Sequence, residues 1–452
     1  MTATPTRAIA RLTRRLALIA TLALTVSVTP GVTPASAYMT AENLQPGNTF
    51  ATADLTIDDL TATRDKTGIT TISWKDATTQ QWAKANGVSG IRYTATSKTA
   101  GGCNVTNTTE TSITGQWPAG ADCTITYTYA GWTATATVTV PFPTVDVGSK
   151  PLGIAIAPDG KSVYVANSAS AYISTIATTK LDVGQISTPA ATGLYGVAVT
   201  PDGSRLCFTS TSTTVNAGWG YKATIDLANS SYPETEVRSS MRPYGVAYSA
   251  RYDACSVVAA STDGPGSFGA LNPFISDQPR IQLENNPRGL TFSSDGSTGY
   301  VANWGSDSVS RLNLQKATVD RTIYKPGSRP TGVAIAKSFL YVTNSGDDTV
   351  SAIDSRTISQ ASPTVTTIDV GKKPGGIAVS AQGKSVYIAN AGSNTVSVID
   401  AASNTVVKTL PTGRTPSGIT ISPDGGTIYV TNKDDDTVSI IPTGRTETPT
   451  AG

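Results

Sequence analysis

The stretch Lys373-Pro374-Gly375-Gly376-Ile377-Ala378-Val379-Ser380 decides how this chain is built, together with the twenty residues after it. A Gln382-Gly383-Lys384 turn comes next, then Ser385-Val386-Tyr387-Ile388-Ala389-Asn390, then Ala391-Gly392-Ser393-Asn394, then Thr395-Val396-Ser397-Val398-Ile399-Asp400. Three short β-rich runs alternate with Gly, Asn and Asp turns, which is the pattern of a small antiparallel sheet. The Pro-x-Gly that opens the first run returns at Pro151–Gly153, Pro243–Gly245, Pro287–Gly289, Pro330–Gly332 and Pro416–Gly418. Leu194-Tyr195-Gly196 is a seventh copy without the proline. Successive glycines lie 42 to 49 residues apart.

A repeat of that length, with several strands per unit, predicts propeller blades. One unit cannot bury both faces of its sheet, so the blades must cover one another in a ring. Each blade reads as strand A, a turn, strand B, a loop after Asn, strand C and strand D. The A–B turn is explicit at Pro158-Asp159-Gly160, Pro201-Asp202-Gly203 and Pro423-Asp424-Gly425, where proline presets the first turn angle and glycine takes the left-handed one. After Thr437–Ile441 only Pro442 and a Thr/Gly/Pro tail remain, so the seventh blade lacks strand D. A spare strand, Thr144–Val147, precedes the first Pro-x-Gly. It is expected to pair with Thr437–Ile441, closing the ring and hiding the open edges.

The chain has 452 residues, 15% of them charged, a net charge of +2 and no histidine. That balance excludes a dedicated nucleic-acid binder, which needs a strong basic stripe. The missing histidine removes the commonest general base, the Ser-His-Asp triad and the usual zinc ligand together. There is no phosphate-cradling Gly loop, Cys-x-x-Cys or catalytic serine motif. No cofactor and no bound metal are expected.

Residues 1–37 read as an export signal: Arg7, Arg11, Arg14 and Arg15, an apolar run Leu16–Val28, and Ala35-Ser36-Ala37 for cleavage. The apolar run is too short to span a bilayer, so no membrane span is expected once the signal is removed. Export by the general or the twin-arginine route stays open. Residues 38–49 form a flexible lead-in. Residues 50–141 are predicted to be a β-sandwich with strands at Leu60–Thr63, Ile69–Trp74, Ile91–Thr96, Ser112–Gly115, Cys123–Tyr129 and Trp132–Val140. Pro141-Phe142-Pro143 is a stiff joint, 142–442 is the propeller and 443–452 a disordered tail.

In an exported protein Cys103 and Cys123 are expected to pair, contributing about 3 kcal/mol on the chain-entropy model. Cys207 and Cys255 are expected to staple the second blade to the third. Neighbouring blades pack about 10 Å apart and a bridge needs α-carbons within about 7 Å. The sheets must therefore pinch, or one cysteine must sit on a bulge, which the residues Arg251–Ala254 could supply.

The units Tyr164-Val165-Ala166-Asn167, Tyr300-Val301-Ala302-Asn303, Tyr341-Val342-Thr343-Asn344, Tyr387-Ile388-Ala389-Asn390 and Tyr429-Val430-Thr431-Asn432 resemble the YVTN-type β-propeller repeat of secreted and surface-layer-like proteins. Blades two and three depart from it, with Cys207-Phe208-Thr209-Ser210 and Val257-Val258-Ala259-Ala260. Leu60, Trp74 and the Thr-Tyr-Thr-Tyr of the sixth strand make residues 50–141 resemble a fibronectin type III domain, an immunoglobulin-like sandwich. Cys123 stands where that family usually has a corner tyrosine. The combined expectation is an all-β chain: a fibronectin type III-like sandwich, then a seven-bladed propeller.

In propellers the D–A and B–C loops share the face around the channel mouth, a feature the resemblance brings. The D–A loops here carry Lys150, Arg242, Arg329 and Lys373 directly before the proline, Arg414 two before it and Arg288 one after it. Such a ring would hold an anion through charge-assisted hydrogen bonds. Against that, exposed repeat positions often carry Lys or Arg. The B–C loop acids Asp307, Asp347, Asp348 and Asp434–Asp436 could also neutralise the ring. Tyr195 and Tyr244 in D–A loops, with Trp219 and Trp304 in B–C loops, could stack on sugars or grip a peptide, or simply pack between blades. The three acids Asp434–Asp436 could take calcium but lack EF-hand spacing. The repeated asparagines read as turn-formers.

The expectation is a monomeric, extracellular bacterial binding or adhesion protein whose partner is a glycan or protein, cell-wall associated or free. The alternative is a histidine-free propeller enzyme, a lyase or lactonase acting on an anionic sugar or lactone with Tyr, Lys, Arg or Asp.

Overall fold

The computed structural model describes residues 57, 59–64, 69–76, 91–129, 132–188, 192–211, 220–229, 237–239, 242–249, 253–261, 265–271, 281–360 and 362–444. The predicted export signal, the lead-in, most of the tail and Trp219 lie outside the described residues. The chain divides into two compact units, Met1–Val140 and Pro141–Gly452.

The described residues of the first unit form two antiparallel sheets. One has three strands in the order Thr61–Arg64, Thr70–Ser73, Ser112–Gly115. The other has four, in the order Val105–Thr108, Tyr93–Thr96, Asp122–Tyr129, Trp132–Thr139. Side chains alternate as a half-buried strand requires: Cys123, Ile125 and Tyr127 are buried, while Thr124 and Thr126 between them are partly exposed. Ile72, Trp74, Tyr93, Ile125 and Tyr127 join one core. Cys103 and Cys123 are disulfide-bonded, with α-carbons 5.8 Å apart. Val105–Thr108 was not expected as a strand; its Asn-Val-Thr-Asn-Thr text is turn-like, and it is held as an edge against Tyr93–Thr96.

The second unit is a seven-bladed propeller of four-stranded antiparallel sheets. Its inner strands are Pro151–Ile156, Leu194–Val199, Arg242–Ser249, Pro287–Phe292, Pro330–Ala336, Pro374–Val379 and Pro416–Ile421. Each inner strand touches the next, and the last touches the first. The spare strand does close the ring: Thr144–Asp146 pairs with the last strand, Thr437↔Asp146, Val438↔Val145 and Ser439↔Thr144, and Val147 N donates to Asp436 O at 2.9 Å.

The Pro-x-Gly has a packing reason. In most blades the inner strand starts at the proline rather than at the glycine, and a bulge at x-Gly comes before the ladder resumes. This places the glycine directly on the next blade's backbone. A methyl group built there would stand no more than 2.7 Å from a carbonyl oxygen of the neighbouring inner strand. The series runs Gly153 on Tyr195, Gly196 on Tyr244, Gly245 on Arg288, Gly289 on Thr331, Gly332 on Gly375, Gly376 on Ser417 and Gly418 back on Leu152. Seven glycines thus let seven inner strands approach more closely than any Cβ permits.

The third motif residue adds a stitch in three joints. Thr209 Oγ1 accepts from Gly196 N at 2.9 Å and donates to Tyr244 O at 3.0 Å. Thr343 does the same between Gly332 N and Gly375 O, both at 2.8 Å. Thr431 does it across the closure, between Gly418 N at 2.7 Å and Leu152 O at 2.8 Å.

Farther out, the motif tyrosine of one blade shares a core with the aliphatic residue before the motif of the next: Tyr164 with Leu206, Tyr300 with Leu340, Tyr341 with Val386, Tyr429 with Val163. Between blades two and three this contact is replaced by the Cys207–Cys255 disulfide, with α-carbons 6.3 Å apart. Pairing corrects the expected alignment of the third blade. Pro243 opposes Ala259 and Val246 opposes Val257, as Pro287 opposes Asn303 and Leu290 opposes Val301. The motif positions are therefore Ser256-Val257-Val258-Ala259, one residue earlier than the sequence suggested. Cys207 takes the tyrosine position, which faces forward, and Cys255 the position before it, which faces back. Strand alternation makes the two meet. The ladder runs unshifted from Val246↔Val257 to Ser249↔Ala254, so Cys255 sits on no bulge.

Candidate functional site

The D–A and B–C loops are hydrogen-bonded to one another, so they occupy the same rim. The D–A loops are pinned at two positions. The residue two before the proline is held by the B–C loop of its own blade: Ser149 N to Ser170 Oγ at 2.9 Å, Asn285 N to Ser306 Oγ at 2.9 Å, Lys372 N to Ser393 Oγ at 2.6 Å, and Arg414 N to Asp435 Oδ2 at 2.5 Å. The residue directly before the proline is held by the preceding blade: Arg329 N to Asp307 and Lys373 N to Asp348, both at 2.7 Å, Thr415 N to Asn394 at 2.9 Å, and Lys150 N to Asp436 at 2.7 Å. Donors and acceptors in this second set all have left-handed backbones, with φ from +48° to +60°, a region non-glycine residues seldom occupy and Asn and Asp occupy most readily.

This belt explains much of the charge at the rim. Lys150, Arg329 and Lys373 are exposed, yet an acid from the neighbouring blade is bonded to the backbone of each. Arg414 pairs with Asp435, Nε to Oδ1 at 2.5 Å. Acids of the preceding blade thus hold the rim backbone, and among the described residues Arg414 is the rim cation whose side chain is in an ion pair. Asp434, Asp435 and Asp436 each accept a protein donor, from Thr415, Arg414 and Lys150 in turn. No group of three potential metal ligands occurs among the described residues.

The motif asparagines behave as structural residues. Asn167, Asn303, Asn344, Asn390 and Asn432 are fully buried. Each Nδ2 donates at 2.9 Å to the serine seven residues on: Ser174, Ser310, Ser351, Ser397 and Ser439. They cross-brace strands B and C beneath the loop between them.

The residue in the middle of Pro-x-Gly is turned to the axis. Along the ring these are Leu152, Tyr195, Tyr244, Arg288, Thr331, Gly375 and Ser417. Two observations fix the direction. Arg288 Nη1 donates to Tyr195 Oη at 3.4 Å, so a residue of the fourth blade reaches one of the second past the third. A Cβ built on Gly375 would meet nothing within 4 Å. The mouth is lopsided as a result, bulky from Leu152 to Arg288 and small from Thr331 to Ser417.

On the bulky side Tyr195 and Tyr244 stack edge-on at 4.9 Å between centroids. The Arg288 guanidinium lies 4.3 Å from the Tyr244 ring centre and 5.3 Å from that of Trp304. Arg329 lies over the same indole at 5.2 Å. Cation–π contacts of this kind contribute about 0.5–2 kcal/mol each. Arg288 has no carboxylate partner among the described residues, and its Nε is buried without a hydrogen-bond acceptor. Its rim position was legible from sequence, but its place between two aromatic rings was not, because that depends on contacts between blades. Arg242 is exposed and begins its strand opposite Ala260. Tyr195, Tyr244, Arg288, Trp304 and Arg329 are brought together; Lys150, Arg242, Lys373 and Arg414 are spread along the rim.

A family model described as "Lactonase, 7-bladed beta-propeller" matches residues 244–448, less than half of the chain. Among curated proteins, none matches. The chain is similar in structure to Kuenenia stuttgartiensis hydrazine synthase, at 19% identity and a TM-score of 0.55, over 65% of this chain and 96% of that one. It is similar also to the β-propeller domain of Myceliophteria thermophila Cps50 (Swd1), at 11% identity and a TM-score of 0.54, over 67% of this chain and 99% of that one. At such identities the likeness concerns the fold.

Proposed function

We propose that this is an exported, surface-layer-like protein of the YVTN propeller type, preceded by a fibronectin type III-like domain, which binds an anionic extracellular ligand at the propeller mouth. The observation that carries the reading is Arg288, a guanidinium set between two aromatic rings at the axis with no described carboxylate beside it. A charge left unpaired in a partly dehydrated site favours an anion that supplies its hydrogen bonds. Aromatic faces beside it suit a flat or sugar-like body. Two disulfides are consistent with an extracellular setting. Among the described residues no helix is long and apolar enough to cross a membrane. The remaining rim residues, Lys150, Arg242, Lys373 and Arg414, with Trp219, would extend the contact to a larger glycan or protein.

The family-model match supports a second reading, a lactonase or lyase acting on an anionic lactone or sugar. With no histidine in the chain, proton transfer would fall to Tyr195, whose hydroxyl Arg288 contacts, or to Tyr244. One experiment separates the readings: a panel of glycans, peptides, sugar acids and lactones, screened for binding and for turnover. Binding without turnover supports the first reading. Turnover that disappears in Tyr195→Phe supports the second, and neither binding nor turnover would remove both.

A further inference from the structure

The mouth is not equally open around its circumference, and this narrows what can enter it. Four successive axis-facing positions carry Leu152, Tyr195, Tyr244 and Arg288, while the next three carry Thr331, Gly375 and Ser417. At Gly375 the space is empty to at least 4 Å around the Cβ direction. The free guanidinium stands at the boundary between the two halves, one blade before Thr331 and two before Gly375. The acids that would compete for it, Asp307, Asp348 and Asp436, are bonded to backbone N–H groups of the rim.

We infer that the ligand recognised here is a small ring-bearing monocarboxylate, its carboxylate on Arg288 and its body in the half of the mouth that Gly375 leaves open, with Gly375 the residue that sets the size limit. This rests on the proposed role of the mouth in recognition. A guanidinium held between two aromatic rings without an acid matches one carboxylate, and its planar fork donates to both oxygens. A polymer lying across the rim would instead depend on Lys150, Lys373 and Arg414.

Titration calorimetry of the full chain with D-glucuronate, D-galacturonate and benzoate, each beside its neutral amide, tests the idea. At least one carboxylate should bind, about tenfold or more tighter than its amide, as a charge-assisted pair implies. Arg288→Gln should abolish that preference. Gly375→Leu, whose side chain enters open space, should weaken binding about tenfold or more with a melting temperature no lower than the parent's. Lys180→Ser/Lys408→Ser, exposed lysines away from the mouth, should stay within about twofold of the parent. An unaffected Arg288→Gln or Gly375→Leu protein overturns the inference. If polygalacturonate or an acidic peptide binds and none of the monocarboxylates does, the small-ligand inference falls and recognition at the mouth stands. If no probe binds at all, both fall.

Discussion

Gly375 and Gly376 are consecutive in one inner strand, and alanine should have opposite effects at the two. At Gly376 a methyl group would overlap the carbonyl oxygen of Ser417 in the next blade, with Ile419 N at 3.2 Å behind it. The obstacle is backbone and cannot swing aside as a flexible side chain would. Overpacking costs roughly 1–3 kcal/mol, and prying apart two inner strands belongs at the upper end. At Gly375 nothing lies within 4 Å, and neither glycine has a left-handed backbone. Alanine there should stabilise by ~0.4–1 kcal/mol, because it restricts the unfolded chain. The two variants should therefore differ by about 3–4 kcal/mol. At about 2–3 °C per kcal/mol for a domain of this size, that separates their melting temperatures by ~6–12 °C. Differential scanning calorimetry at one fixed scan rate measures the difference, since unfolding of a large β domain is readily irreversible. Equal melting temperatures for the two variants would refute close strand approach as the reason for the repeated glycine.

Replacing the blade staple, Cys207→Ala/Cys255→Ala, should cost up to about 4 kcal/mol for a loop of 48 residues, read as a lower urea midpoint; non-reducing peptide mapping of the parent should show two bridges and no free thiol. Acid should weaken two of the A–B turns. Asp202 lies at about 2, held down by the hydroxyls of Ser204 and Thr200, and Asp295 at about 2, held down first by that of Ser293. A folded value below the ordinary one means the contribution is present above about pH 4 and is lost as the pH falls toward about 2, so Asp202→Asn/Asp295→Asn should flatten the acid limb of a stability–pH curve. Asp348→Ala should free the Lys373 amide and speed its hydrogen exchange, whereas Lys373→Ser should leave the backbone pin intact.

Much of this architecture can be read from local chemistry. The Pro-x-Gly period gives the blade count, the missing last strand gives the closure, and the turn glycines give the A–B corners. These signals are legible because each repeats and each answers a backbone requirement. The third blade shows where the reading stops. Its Ala254–Ala260 run contains no tyrosine or asparagine to mark position, so a shift of one residue is invisible until the pairing of Pro243 with Ala259 is seen. That shift also supplies the facing geometry of Cys207 and Cys255, for which the sequence offered a pinch of the sheets or a bulge. The rim shows a second limit. Lys150, Arg329 and Lys373 look like a cationic ring when counted along the chain, and nothing there shows that Asp436, Asp307 and Asp348 reach across from the adjacent blade to hold their backbone N–H groups. Such contacts across joints leave no local pattern. Arg288 stands out only once its contacts with Tyr195, Tyr244 and Trp304 are seen.

A crystal structure of the mature protein soaked with D-glucuronate shows whether the mouth holds a carboxylate. Ligand density is expected on the side of Thr331, Gly375 and Ser417, with its carboxylate on the Arg288 guanidinium between Tyr244 and Trp304. Arg288 paired instead with a carboxylate of the protein's own chain would contradict it, because the guanidinium between the two rings would then not be available to a ligand.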